Sequence, residues 1–237
     1  MKICDSHSHW LPREIIECAS FFHPAWSDIE GQLSAMDKAG IERSLLTYPT
    51  TDAHLKMQGG WSKVARVFND GVAEIIKKYP DRFIGAFILP VGEQDLMDKE
   101  CRYAYQNLGL RVLSLASSYN GIYLDSKIFF SIYEYCRAED IPIFVHSQIT
   151  SPIGYERVKD PLLSPVIEYI FDLTMCAGKI MMSGVLTDFG DLKFVFAHFA
   201  GVLPFIKERF DTTYKMLRGI NFVRDLGTDP SKILSRI

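Results

Sequence analysis

Residues 5 to 10 read DSHSHW, an aspartate and two histidines at alternate positions. Side chains alternate along an extended strand, so Asp5, His7 and His9 are expected on one face. Two imidazoles spaced this way can point at one ion. A divalent metal such as zinc takes neutral nitrogen or oxygen donors near 2 Å, and a catalytic site leaves one position open for water. Two more histidines close apolar runs: His146 in IPIFVHS and His198 in LKFVFAHF. His146 is the candidate third ligand. Asp5 more naturally orients a ligand or the neighbouring loop than binds the ion itself. Any one of these histidines alone would more often be an ordinary structural residue; their joint occurrence after strand-like runs favours a metal site. His23 and His54 fall in loops and are assigned ordinary roles there. Trp10, next to the motif, is a candidate for lining a pocket or for packing in the core.

The elements that must position these residues alternate in type. Strand-like runs are KICDSH, ERSLLTYP, RFIGAFILP, LRVLSLAS, IPIFVHS and LKFVFAHF. Between them lie stretches with apolar residues at helical spacing. DIEGQLSAMDKAG places Ile29, Leu33 and Met36 on one face and closes at Gly40, and WSKVARVFNDGVAEIIKKYP stops at Pro80. DSKIFFSIYEYCRAED opens with Asp125 or Ser126 as the expected cap. LPFIKERFDTTYKMLRG is the last long helical pattern. Six strand–helix alternations mean a parallel sheet, either an open doubly wound sheet or a (β/α)8 barrel. In both, chemistry gathers at the carboxyl ends of the strands, where the four histidines fall. No glycine-rich nucleotide-binding fingerprint follows the first strand, and no phosphate-binding P-loop occurs. No linker or low-complexity segment interrupts residues 1–237, which are read as one domain.

Bulk properties narrow the partners. The chain has 237 residues, 48% of them hydrophobic, with a net charge of -3 and no basic stretch, so nucleic acid is not an expected partner. No run of about 18 apolar residues occurs, so no membrane span is expected. The N-terminus lacks the apolar core of a signal peptide. The five cysteines are odd in number and form no Cys-x-x-Cys pair. Both features argue against a disulfide framework and against a thiolate zinc site, and place the chain in a reducing cytoplasm.

DSHSHWLP, IPIFVHS and DLKFVFAHFAGVLPFIKERFD together resemble the amidohydrolase superfamily, in particular its amidohydrolase-related, aminocarboxymuconate-semialdehyde decarboxylase-like branch. FNDGVAEIIKKYPDRFIGAFILP and TMCAGKIMMSGVLTDFGDLKFVFAH extend the resemblance over essentially the whole chain. It implies an α/β fold of the metal-dependent hydrolase type, a distorted (β/α)8 TIM barrel, with only about six β/α units present here. It implies one divalent metal ion, commonly zinc, on His7, His9 and His146. His198 is then the histidine that touches the metal-bound water or the substrate and moves a proton. The implied reaction is non-oxidative decarboxylation of a small unsaturated or aromatic carboxylic acid. The alternative is hydrolysis or hydration of a lactone or ring-cleavage product, and release of carbon dioxide separates the two. Members commonly dimerise, so a homodimer is implied as well.

The sequence departs from the family pattern in three places. The family's eighth strand carries an aspartate in a Gly-Ser-Asp motif; none occurs here, and the chain stops at DPSKILSRI, where a seventh strand is due. An incomplete barrel of low activity, or a non-catalytic one, is the expectation from that departure. Two positions after the strand-5 histidine the branch has a tryptophan, and this chain has Gln148, a second candidate for the substrate pocket. The arginine that grips a carboxylate ahead of the first helix has no counterpart in CASFFHPAW. Carboxylate recognition by a bidentate arginine is hard to replace, so the substrate is expected to differ.

Overall fold

The computed structural model describes residues 2–233. Residues 234–237, the end of DPSKILSRI, lie outside the described residues. The chain divides into two compact units between Leu115 and Ala116.

The first unit runs β1 (Ile3–His9), α1 (Arg13–Cys18), α2 (Ile29–Ala39), β2 (Ile41–Thr47), α3 (Gly60–Lys78), β3 (Phe83–Phe87), α4 (Gln94–Gln106) and β4 (Val112–Ala116), whose last residue opens the second unit. The strands pair in parallel as β1-β2-β3-β4. Helix α2 begins where the Asp28 carboxylate accepts the Gly31 N–H at 2.8 Å. It ends at Gly40, whose φ of 69° suits a residue without Cβ. Helix α3 buries Val64, Ala65, Phe68 and Val72 along one stripe; the valines and the phenylalanine each contribute about 1.5–3 kcal/mol through burial. Asn69 on the same helix is also buried. Its amide brackets the end of β3, accepting from Ile88 N–H at 2.8 Å and donating to Ile88 O at 3.0 Å and Glu100 Oε1 at 2.8 Å. Arg66 completes this polar tie with a 2.6 Å bond to Glu100.

Strand β1 is not regular. Asp5 pairs with Ser44 and Ser8 with Leu46, so three steps on β1 face two on β2, the signature of a bulge. Ser44 and Thr47, three apart on β2, point to opposite faces. The Ser44 hydroxyl contacts Asp5 Oδ2 at 3.3 Å and Ser8 Oγ at 2.8 Å, whereas Thr47 Oγ1 contacts His9 Nδ1 at 3.1 Å. The single shared face expected for Asp5, His7 and His9 is therefore corrected. The extra residue turns Asp5 to the Ser44 side and leaves the two histidines together.

The second unit contains the hairpin strands β5 (Ser118–Tyr119) and β6 (Ile122–Tyr123), α5 (Phe130–Ala138), β7 (Ile143–His146) and α6 (Tyr155–Val158). It continues with α7 (Tyr169–Ser183), α8 (Val185–Asp188), β8 (Phe194–Phe196), α9 (Leu203–Gly219) and α10 (Pro230–Ile233). β7 and β8 pair in parallel, Ile143 opposite Phe194 and Val145 opposite Phe196. Buried Leu173, Cys176, Ala177, Ile180 and Met181 form the inner side of α7. Met181 and Ala177 pack with Ala200 and Leu203 at the start of α9. Ser126 makes no side-chain cap, and Asp125 instead pairs with Lys179 at 3.0 Å, so the expected cap of α5 is corrected. A short tighter turn over Lys127–Phe129 leads into that helix instead. No disulfide joins the cysteines, and no helix is long and apolar enough to cross a membrane, among the described residues.

Candidate metal centre

In the first unit, His7 and His9 lie within β1 and their Nε2 atoms approach to 3.2 Å. The tautomer of His9 follows from counting hydrogens. The Thr47 hydroxyl donates its one hydrogen to Ser8 O at 2.8 Å. Toward His9 Nδ1, 3.1 Å away, it is therefore the acceptor. Neutral His9 then carries its hydrogen on Nδ1 and a lone pair on Nε2, the arrangement a metal ligand needs. Two nitrogens each about 2.1 Å from a shared tetrahedral ion lie about 3.4 Å apart, close to the observed spacing. Asp5 Oδ1 accepts the His7 backbone N–H at 3.0 Å and so fastens the bulge that presents this ring. Trp26 stands edge-on to His9 with ring centres 5.3 Å apart.

In the second unit, His146 is the last residue of β7 and only 6% exposed. Its Nδ1 lies 3.0 Å from Ser147 O, an acceptor only, so Nδ1 holds the hydrogen and Nε2 the lone pair. His198 comes two residues after β8 ends. His198, Phe199 and Ala200 have φ of 50°, 56° and 57°, a left-handed run of three residues that all carry a Cβ. Such backbone persists only where its surroundings over-determine it, and functional sites are where it concentrates. Here Thr174 on α7 supplies the hold: its Oγ1 accepts Val202 N–H at 2.9 Å and contacts Ala200 O at 3.3 Å. The turn brings the His198 ring to 5.9 Å from that of His146, with ring nitrogens within 4.8 Å. Partial desolvation of the ring holds the pKa of His198 below the ordinary histidine value, although the residue as a whole is exposed.

The other candidates have their polar groups and surfaces committed elsewhere. Gln148 is buried; its amide donates to Ser118 O at 2.9 Å and accepts from Thr150 N–H and Oγ1 at 3.0 and 2.9 Å. Trp10 lies in the core of the first unit against Phe68 and over Gly71. His23 caps the short turn at Pro24–Ser27, and His54 stacks on Trp61 at 4.1 Å. A cavity of about 630 Å³ in the second unit, lined by Ile153, Phe171, Met175, Met182, Ile206 and Phe210 among others, includes none of the histidines.

Thr47, Trp26, Thr174 and Asp172 also shape the site, although nothing in the sequence singles them out. For the first three no spacing signal exists, because their roles depend on a pairing register or a helix contact. Asp172 is 1% exposed and accepts from Ser117, from Ser118 at 3.2 Å, from Tyr123 at 2.9 Å and from Ile153 N–H at 3.1 Å. Its neighbour the β5–β6 hairpin did leave a signal, the Asn120–Gly121 pair, both at positive φ.

The amidohydrolase family model Amidohydro_2 matches residues 4–220. The chain belongs to this family. It is 28% identical to the 2-amino-3-carboxymuconate-6-semialdehyde decarboxylase of Dictyostelium discoideum over 161 residues, 65% of this chain and 44% of that protein. The match thus spans less than half the length of that curated relative. A solved 5-carboxyvanillate decarboxylase from Sphingomonas paucimobilis superposes with a TM-score of 0.88 at 20% identity, covering 99% of this chain and 78% of its own. A dihydroxybenzoic acid decarboxylase from Polaromonas sp. JS666, solved with manganese and the inhibitor 2-nitroresorcinol, superposes with a TM-score of 0.75 at 22% identity, over 91% of this chain and 71% of its own. At these identities the likeness establishes the fold, the parallel α/β architecture of amidohydrolase-type TIM barrels. The open doubly wound alternative falls away.

Proposed function

We propose that this chain belongs to a metal-dependent, non-oxidative carboxy-lyase acting on a small unsaturated or aromatic carboxylic acid. The observation that carries the reading is a set of fixed imidazole tautomers. His9 and His146 each present Nε2 as a lone pair at the carboxyl end of a parallel strand, one paired with His7 and the other facing His198. The decarboxylase names of the curated relative and the two solved structures support it. The family match also runs across both compact units, which supports reading them as one domain.

In this reading His7, His9 and His146 hold one divalent ion. Imidazole donors suit zinc first and manganese, iron or cobalt next. The ion, when bound, supplies Lewis-acid polarisation of substrate oxygens. The chain's own residues do the rest. Asp5 fastens the backbone that carries His7, and Thr47 orients the His9 ring. His198, on its strained turn, holds a proton at the substrate carbon that carries the carboxylate. Protonation of that carbon lets the carbon–carbon bond break, with its electron pair returning to the unsaturated system and carbon dioxide leaving.

Elemental analysis of the purified chain beside His7→Ala/His9→Ala comes first, followed by carbon dioxide release from 2,6-dihydroxybenzoate and 5-carboxyvanillate. About one equivalent of metal, lost in the double variant, with release abolished by chelation and by His198→Ala, is the expected result. No bound metal after reconstitution would overturn the reading. Metal with lactone opening and no carbon dioxide would replace the lyase with a hydrolase.

A further inference from the structure

Asp172 sits on α7, buried, with no ion pair among the described residues. A carboxylate removed from water without a cation is costly, and here its oxygens are satisfied by neutral donors alone. Oδ2 accepts from the hydroxyls of Ser117 and Ser118, and Oδ1 accepts from Tyr123 OH and Ile153 N–H. All four partners donate, so the site calls for two accepting oxygens with no hydrogen of their own, which a carboxylate supplies and an amide or hydroxyl does not.

The path through Ser117 gives the charge a purpose. The Ser117 hydroxyl donates to Asp172 and accepts the Gln148 N–H at 2.8 Å. The Ser117 backbone N–H donates to the carbonyl of His146 at 2.7 Å. One serine therefore grips the backbone on both sides of Ser147, directly after the strand that ends in His146. Its hydroxyl has one orientation only, because Asp172 takes its hydrogen and Gln148 takes its lone pair. Hydrogen bonds to a charged acceptor are stronger than neutral ones. His146 in turn orients its ring by donating Nδ1–H to the carbonyl of Ser147, inside the gripped segment.

We propose that Asp172 is a positioning residue for His146. Acting through Ser117, it fixes the backbone whose carbonyl sets the His146 ring and so tunes how well the chain holds its divalent ion. This rests on the reading of His146 as a metal ligand.

Asn cannot reproduce the arrangement. Ile153 N–H is a fixed donor and demands the amide oxygen, so the amide NH₂ must face Ser117. The serine would then accept from both Asn and Gln148, and its hydrogen would lose its partner. Ser118 is the internal control, since its hydroxyl reaches the same Asp172 oxygen but makes no link to His146.

The test is equilibrium dialysis of zinc into the whole chain, the absorption bands of the cobalt-substituted protein, and thermal melts. The set is wild type, Asp172→Asn, Ser117→Ala, Ser118→Ala and His146→Ala. Asp172→Asn and Ser117→Ala are expected to weaken zinc binding by about tenfold or more and to move the cobalt bands. Ser118→Ala is expected to lower the melting temperature while leaving zinc affinity within about twofold of wild type. If Asp172→Asn does not fold, Ser117→Ala decides. Wild-type affinity and bands in Ser117→Ala, with zinc still lost in His146→Ala, would overturn the positioning role and leave the metal site standing. Wild-type zinc binding in His146→Ala would overturn the metal reading and this role together.

Discussion

In the first unit His7 and His9 project from the body of a strand. In the second, His146 closes a strand, while His198 stands beyond one on a left-handed turn. The β1–β2 ladder positions the first pair through backbone bonds that almost any sequence could make. Asp5, Thr47 and Trp26 add side-chain control. The second pair depends on particular atoms: the Thr174 hydroxyl, the missing Cβ of Gly201 and the Ser117 link. A ladder distributes its constraint over many residues, whereas a turn concentrates it in a few. Single substitutions should therefore disturb the second pair more.

The largest expected effect is at Gly201. With φ of 69° and ψ of -124° it occupies a region closed to residues with a Cβ. A Cβ there would also lie 2.2 Å from Ile170 O and 2.3 Å from Thr174 Oγ1. Gly201→Ala should destabilise by about 3 kcal/mol or more, combining backbone strain with a clash against atoms that cannot move away. Its counterpart is Gly71 on α3, where a Cβ would meet the Trp10 ring edge at 2.7 Å. Helical Ala is favoured over Gly by about 1 kcal/mol and the tryptophan can shift, so Gly71→Ala should cost only about 1 kcal/mol net. Denaturant unfolding of the two variants checks the ranking; an equal or reversed order would break the comparison.

Thr47→Val probes the contact that orients the His9 ring in the first unit. It removes the oxygen that selects the His9 tautomer and leaves Ser8 O without that donor. Metal affinity should fall by about tenfold, as for other groups that orient ligands. Titration calorimetry with zinc is the measurement. Unchanged affinity would mean that the ladder alone sets the ring.

The smallest effect belongs to the surface. Arg224 makes two 2.8 Å bonds to Asp188, both side chains being more than 40% exposed. Solvent screening limits such a pair to about 0.5 kcal/mol. The Arg224 bonds hold the Asp188 carboxyl below its usual range. The stabilisation is therefore present above the ordinary aspartate pKa and disappears as pH falls through the lowered folded value. Melting curves of wild type and Arg224→Ala should differ slightly at neutral pH and converge in strong acid. A loss as large as that of Gly201→Ala would place the second unit's sensitivity in its surface charges rather than its turn.

Much of this was legible in the residues. Apolar periodicity located the long helices, and the range of α9 coincides with LPFIKERFDTTYKMLRG. Apolar runs marked β3, β4 and β7, whose residues are almost all buried, whereas β1, ICDSHSH, is polar and partly exposed and was marked by its histidines instead. His7, His9 and His146 could be named as candidate donors from chemistry and spacing, whereas the proton-moving role of His198 came only from the family resemblance. The β1 bulge was not legible, because a register exists only between two strands. Nor was the turn at His198: AHFAG reads as a continuing strand, and three left-handed residues become tolerable only once Gly201 packs against Ile170 and Thr174 of α7.

The sequence by itself determined which side chains could bind a metal and which elements would carry them, because donor chemistry and periodicity are local properties. Only the tertiary structure decided which nitrogen of each ring is a lone pair, where Asp5 turns, and that Asp172 is buried among neutral donors. Those outcomes depend on hydrogens shared between residues distant in sequence, such as Thr47 with Ser8 and His9, or Asp172 with Ser117. A hydroxyl has one hydrogen to give, and folding decides which acceptor receives it.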